Sequence, residues 1–498
     1  MSLLSFIQYS YFRRYQKLVN ENRYHADKCQ QHVFQQLINS AKNTLFGKEH
    51  QFEKIKTHDD FTKLVPVREY EEINPYIQKI LLREESVLWP GLPLFLSKTS
   101  GTSGDPKYLP ITNEFLRSTQ FAAKYMLCNL SAIADYRKFL GKEFFYLTDQ
   151  QNFEEVNGFR CGAISSIKSF YMPGWASRFS VPKKEINNIA DPAKKIDAII
   201  ESIQHCDIRT AVALPVYLSH FLKQFEVRTG NKFKNIFPNF NVLFLSGMNY
   251  EPYESLMRQH LGKDTIIMEN YSATEGNFAY QAVPGKKGME LICNQGVFYE
   301  FIPIGDADKG YPLRLPLHAV EKGMLYNIII SANSGLWAYR MNDIVEFIST
   351  EPYRLVVNGR LKDIFSPFGE HMLPLQAEQA IAETCRQTHQ TLTDFIMISD
   401  FNFKSYRYKC YAEFESEMND SFAFSTILHK QLCKNNSYYH DLVKTGAVTM
   451  PKLIPVKNNS FEILTGTSDY YAQQKMTHLI SDKNIIAKLE SILDQLIT

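Results

Sequence analysis

The chain has 498 residues, 44% hydrophobic and 22% charged, the balance of a globular protein long enough for two domains, one of them large. Lys+Arg 55 against Asp+Glu 53 leaves a formal charge of +2, with no basic arm or acidic tail, so neither nucleic acid nor a membrane surface is expected as a partner. No apolar run is long enough to span a bilayer, the 8 cysteines show no Cys-x-x-Cys pair, and Arg13-Arg14 follows the first apolar residues; a reduced, cytoplasmic protein is expected.

Residues 1 to about 90 have helical spacing, as at Phe34, Leu37, Ile38 and Leu45. His25, Cys29 and His32 fit one face of a packed helix better than a metal set, since no second cluster accompanies them. Asn74-Pro75 reads as the cap and first turn of a short helix. The most distinctive stretch follows, Leu94 to Thr112: an apolar strand end, then Thr99, Ser100, Gly101, Thr102, Ser103, Gly104 and, just beyond, Lys107. Hydroxyls and unhindered backbone N–H groups at that density suit phosphate oxygens, although the Walker A spacing is absent and a plain surface loop has the same composition.

Thr112 or Asn113 caps a helix expected to run to about Ile133, and Phe144 to Leu147 reads as a strand. Residues 151–184 have little periodicity. Asp191-Pro192 opens another helix, and Ala211 to Leu214 is a strand followed by a helix over Tyr217 to Phe225. A buried strand then runs from Asn241 into Ser246-Gly247-Met248, a helix ends near Leu261, and a strand from Thr265 leads to Tyr271-Ser272-Ala273-Thr274-Glu275-Gly276. Strand, helix, strand in this order predicts a parallel α/β unit with its chemistry at the carboxyl edge. Asn358-Gly359-Arg360 is a turn signal near a linker, and the remainder alternates as a small α+β domain.

Phe46-Gly-Lys, Leu88-Trp-Pro-Gly-Leu-Pro, Lys98 to Gly104 with Lys107-Tyr-Leu-Pro-Ile-Thr, Tyr271 to Gly276, Gly335-Leu-Trp-Ala-Tyr-Arg-Met-Asn-Asp343 and Gly359-Arg360 with Gly369-Glu-His371 occur in one order along nearly the whole chain. Together they resemble the Gretchen Hagen (auxin-responsive) family of acyl acid–amido synthetases, within the adenylate-forming superfamily of acyl-CoA synthetases and luciferase-like enzymes. The resemblance implies an α/β fold. A large N-terminal domain, 1–358, would have mixed and parallel sheets flanked by helices; a small mobile α+β domain, 359–498, would turn about a hinge near 359–363. It also implies a ligase using ATP and Mg²⁺, acting as a monomer on a small carboxylic acid and an amino acid. The acid is adenylated with release of pyrophosphate, and an amine then displaces AMP to give an amide.

By the same resemblance Thr99, Ser100, Gly101, Thr102 and Ser103 hold the phosphates, and Lys107 adds charge beside them. Ser246, Gly247 and Met248 wall the adenine, with Tyr271 stacking and Ser272 alongside. Thr274 donates to the α-phosphate, Glu275 binds Mg²⁺, Asp343 takes the ribose hydroxyls with Arg360, and Lys475 is the mobile catalytic lysine. Met126, Phe170, Tyr171 and Tyr217 are expected acyl-pocket walls. Two departures stand out: Asn342 replaces the family's glycine before Asp343, and the segment before Lys475 matches poorly. A coenzyme A ligase and a catalytically silent nucleotide-binding protein are the alternative readings.

Overall fold

The structure, a computed structural model, describes residues 3–99, 107–147, 153–306, 309, 312–361, 364–368, 370, 372–400, 406–418, 420–465 and 478–497. Ser100, Gly101, Thr102, Ser103 and Lys475 lie outside the described residues, as do Lys362 and Asp363 of the expected hinge, and Gly369 and His371.

Local signals fix many of the helices. Thr57 accepts from the backbone N–H of Asp60, whose carboxylate accepts from the Thr57 N–H, closing a capping box at the start of His58–Leu64. Thr112 caps Asn113–Thr119 through the Phe115 N–H, and Asp191 caps Pro192–Ile203 through the Lys194 N–H. The helix expected from Asn74-Pro75 instead runs from Tyr70 to Leu81 with Pro75 inside it. A start is already supplied upstream, where the Glu72 carboxylate accepts from the Glu69 N–H, and packing of Ile73, Ile77 and Ile80 outweighs the hydrogen bond that Pro75 cannot make.

Among the described residues three sheets organise the chain. The 12-stranded sheet joins two styles of pairing. At one end Ser180–Val181, Phe144–Tyr146, Thr210–Ala213, Val242–Ser246 and Ile266–Ala273 run parallel, as the alternating strand–helix pattern requires. The other seven strands, including Gly276–Tyr280, Tyr339–Thr350 and Tyr353–Arg360, are joined by antiparallel pairings. A 4-stranded sheet pairs Phe95–Thr99 antiparallel with Lys107–Ile111, and a second one, with Leu392–Asp400 and Arg407–Phe414 at its centre, builds the C-terminal domain. Gly359 and Arg360, read from the sequence as a turn, are the end of a strand, because Ile344 and Asp343 pair with them.

Several recognition motifs are packing devices. Trp337 donates its indole N–H to the Leu88 carbonyl at 3.0 Å, and its ring lies against Phe46, Phe52 and Trp89. A Cβ on Gly335 would meet Leu88, and one on Gly47 would meet the Ala41 carbonyl at 2.1 Å. These contacts hold the helical N-terminal region on the large sheet. Among the described residues no helix is long and apolar enough to cross a membrane, and every cysteine is free. No group of three or more His, Cys, Asp or Glu side chains there is arranged to hold a metal, and Cys29 donates to the Glu21 carbonyl.

Candidate active site

The parallel strands end on one edge, and Ser246, Gly247, Tyr271 and Ser272 lie at or just past those strand ends. Ser246 ends its strand beside Asn270, and Gly247 follows at φ +90°. A side chain at Gly247 would meet Leu214 Cδ2 at 2.6 Å, so the close approach of the two strand ends requires glycine. Met248 is half-buried and packs against the core beneath. The next strand carries Tyr271 and Ser272 to a tight hairpin: Ala273 pairs with Gly276, leaving Thr274 and Glu275 at the tip, both half-buried.

Asp343 is the best-defined member. Its carboxylate, buried within the strand Tyr339–Thr350, accepts from the Tyr271 hydroxyl at 2.5 Å and pairs with Arg360 Nε at 3.3 Å. Burial, reinforced by the Asp343 and Glu275 charges, holds the Tyr271 phenol well above its ordinary range, so it remains a proton donor. The three residues come from three separated motifs. Their meeting depends on a bulge: between the pairs Asn327 with Ile344 and Ile329 with Arg340, the second strand gains extra residues. Asn342 sits in that bulge at φ +62°, the left-handed conformation a glycine would adopt freely and asparagine tolerates best among other residues. The replacement of glycine thus preserves the turn that aims Asp343. Asn342→Gly should leave thermal stability nearly unchanged, whereas Asn342→Val, branched at Cβ, should cost about 1–2 kcal/mol by urea unfolding.

Other predicted residues are placed differently from expectation. The Tyr271 ring is packed in the core against Phe278, with 5.0 Å between centres, so its hydroxyl rather than an open ring face serves the site. Lys107 closes the hairpin that carries the hydroxyl-rich loop, paired in register with Thr99. Its ammonium is not a lone charge beyond that loop: it bonds Glu71 at 2.9 Å and lies over the Tyr70 ring. Met126 is not a pocket wall; it lies in a separate core with Phe12, Val19 and Tyr125, because its helix packs beneath the N-terminal helices. Phe170 and Tyr171 pack on Phe95 in the strand leading to Thr99, and Tyr217 is half-buried in the first turn of Pro215–Thr229, at the carboxyl edge.

One residue escaped the sequence reading. Lys168, on the short helix Ile164–Phe170, donates to Asn277 Oδ1 at 3.0 Å, and Asn277 lies across the hairpin from Ser272, just past Glu275. Burial pulls its ammonium down to about 8, and no carboxylate among the described residues pairs with it. A cation held by one neutral acceptor at the foot of the Glu275 hairpin is poised for an anionic group.

Models of the GH3 family match the chain three times in succession: the N-terminal domain at residues 16–236, the central domain at 290–360 and the C-terminal domain at 375–484. The chain belongs to the GH3 family. A jasmonoyl–L-amino acid synthetase from Nicotiana attenuata is 20% identical over 64% of this chain and 66% of its own length. An indole-3-acetic acid-amido synthetase from Arabidopsis thaliana is 21% identical, covering 72% of this chain and 75% of that protein. The chain thus spans about two thirds of the length of the Nicotiana relative. Among solved structures, GH3.15 acyl acid amido synthetase superposes with a TM-score of 0.76 over 97% of this chain and 96% of its own, at 16% identity. The GH3 fold, with its separate C-terminal domain, is shared throughout.

Proposed function

We propose that this GH3 member is an ATP-dependent acyl acid–amido synthetase, joining a carboxylic acid to an amino acid. The observation that carries the reading is Asp343, clamped by Tyr271 and Arg360 through an asparagine that keeps the left-handed bulge. A fixed, buried carboxylate held beside Tyr271, near the carboxyl end of the last parallel strand, suits the paired hydroxyls of a ribose, and Arg360 borders the same place. The neighbouring hairpin tip presents Thr274 and Glu275. Glu275 is a single carboxylate, the donor set expected for Mg²⁺ that takes its remaining positions from phosphate oxygens and water. Bound there, Mg²⁺ would neutralise phosphate charge.

In the first half-reaction a carboxylate oxygen attacks the α-phosphorus, forming a C–O–P linkage as the bond to pyrophosphate breaks. Thr274 would donate to the α-phosphate as its charge develops, a contact of a kind typically contributing about 2.7–4 kcal/mol. The hydroxyl-rich segment between the strands Phe95–Thr99 and Lys107–Ile111 is assigned to the leaving phosphates, and Lys475 to the same charge. Lys168 is assigned to a substrate carboxylate. In the second half-reaction an amine attacks the acyl carbon, AMP leaves with the carboxylate-derived oxygen, and the amine proton passes to solvent.

The reading is tested by pyrophosphate release from ATP and Mg²⁺ with a panel of aryl, indole and fatty acids, each with and without pooled amino acids. Release that depends on the acid, with amide and AMP in the products, is expected. Thioester formation with coenzyme A and none with amino acids would replace it by the thiol-ligase reading; ATP binding without turnover on any acid would favour the silent binding protein.

A further inference from the structure

The first helix, Leu3–Arg13, turns polar side chains inward and apolar ones outward. Its buried row is Ser5, Gln8 and Phe12. Both polar members are satisfied there: the Ser5 hydroxyl donates to the Leu140 carbonyl at 3.1 Å, and Gln8 Oε1 accepts from the Gly141 N–H at 2.7 Å. The backbone at Gly141 passes so close that a Cβ would run into Ser5 Oγ. Specific contacts therefore fix the orientation of the helix. Leu3, Phe6 and Ile7 are left facing out, 73%, 48% and 54% exposed, and their i, i+3, i+4 spacing makes them one contiguous apolar face. Buried polar and exposed apolar residues on one short helix together mark a surface that meets something other than water.

The charge around that face has one sign. The exposed row continues through Ser10 to Arg14, and exposed Lys17 follows in Gln16–Tyr24. Arg14 lies over the Tyr11 ring at 4.0 Å, and Lys124, on the adjoining helix Phe121–Ile133, lies over the Phe121 ring at 4.6 Å. Residues 3–20 and 121–133 contain Arg13, Arg14, Lys17 and Lys124 and no acidic side chain. Glu21 and Asp135, the acids next along the chain, face Lys17 and Arg137. The near-balance of the whole sequence, +2, conceals this local excess.

We propose that this face docks on an anionic membrane surface, with Leu3, Phe6 and Ile7 entering the headgroup layer and Arg14, Lys17 and Lys124 meeting the lipid charges. Apolar side chains bordered by cations and aromatic rings complement such a surface twice: they leave water, and the cations meet its negative potential. With 11 residues the helix is too short to span a bilayer and would lie along it. A second copy of the chain is the poorer occupant, because symmetric pairing across this face would set each group of cations against its own counterpart. The inference is independent of the amide-forming reading.

Flotation of the whole chain with lipid vesicles tests it without any substrate. Wild type should rise with phosphatidylcholine vesicles containing about 30% phosphatidylserine, stay down with phosphatidylcholine alone, and be released as salt is raised. The combined change Leu3→Ser, Phe6→Ser and Ile7→Ser should weaken binding at least about tenfold with an unchanged melting temperature, since these side chains are already exposed. Arg14→Gln with Lys17→Gln should weaken it about fivefold per cation. Lys430→Gln with Lys434→Gln, exposed cations on the small-domain helix Ser421–Asn435, should leave it unchanged. No preference for the anionic vesicles, wild-type binding by the triple variant, or an equal loss on changing Lys430 and Lys434 would each overturn the proposal. A wild-type dimer that the triple variant converts to monomer would overturn it too, by assigning the face to a second copy.

Discussion

Asp343→Asn is expected to lower ATP–pyrophosphate exchange by about 10²-fold with little change in the melting temperature. The carboxylate is asked to accept from Tyr271, from Arg360 and from a ribose. Asparagine keeps the volume but has one acceptor oxygen and a donor NH₂. It can satisfy Tyr271 or Arg360, and the amide group then points N–H toward the other donor, leaving nothing to receive the sugar. The loss should appear chiefly as weaker nucleotide binding. Arg360→Lys should cost less, under about tenfold, since its side chain is 52% exposed and a solvated pair contributes little. Equal effects of the two substitutions would mean that Asp343 serves the sheet and not the nucleotide.

The second large effect is placed at Lys168. Lys168→Met should reduce kcat/KM for amide formation by about 10²-fold, the magnitude of one charge-assisted contact in a partly desolvated site. Exchange measured with the acid alone, compared with complete turnover, tells whether the acyl acid or the acceptor amino acid supplies the carboxylate. The pH profile distinguishes this from a packing defect. Burial lowers the ammonium to about 8, so affinity for a carboxylate should fall as pH rises through that value, shifted upward once an anion is bound. Lys168→Arg, charged throughout, should flatten that decline while retaining part of the activity. A wild-type profile with no such decline, together with unimpaired turnover in Lys168→Met, would remove Lys168 from the site.

How much of this could be read beforehand depended on where the information lies. Asn342 was legible because a conformational rule, the tolerance of asparagine for positive φ, belongs to the residue itself, and the structure shows φ +62° there. The parallel unit around Ser246 and Tyr271 was legible because buried strands and turn glycines are local signals. Lys168 was not: a lysine on a helix over Ile164–Phe170, in a stretch without periodicity, is marked as special only by the tertiary packing that desolvates it. Met126 failed for the opposite reason, since an apolar residue at helical spacing looks the same whether it lines a pocket or fills a core. Motifs such as Leu88-Trp89-Pro90 and Gly335-Leu336-Trp337 identify the family, yet the contacts among Leu88, Trp89 and Trp337 are packing, which sequence alone does not separate from chemistry.

The central claim is that the acid is activated by adenylation, and the fate of its oxygen tests that most directly. With an accepted acid labelled with ¹⁸O in both carboxylate positions, mass spectrometry of the completed reaction should find one label in AMP and one in the amide. Label in inorganic phosphate with ADP as the co-product, or unlabelled AMP formed alongside the amide, would contradict it.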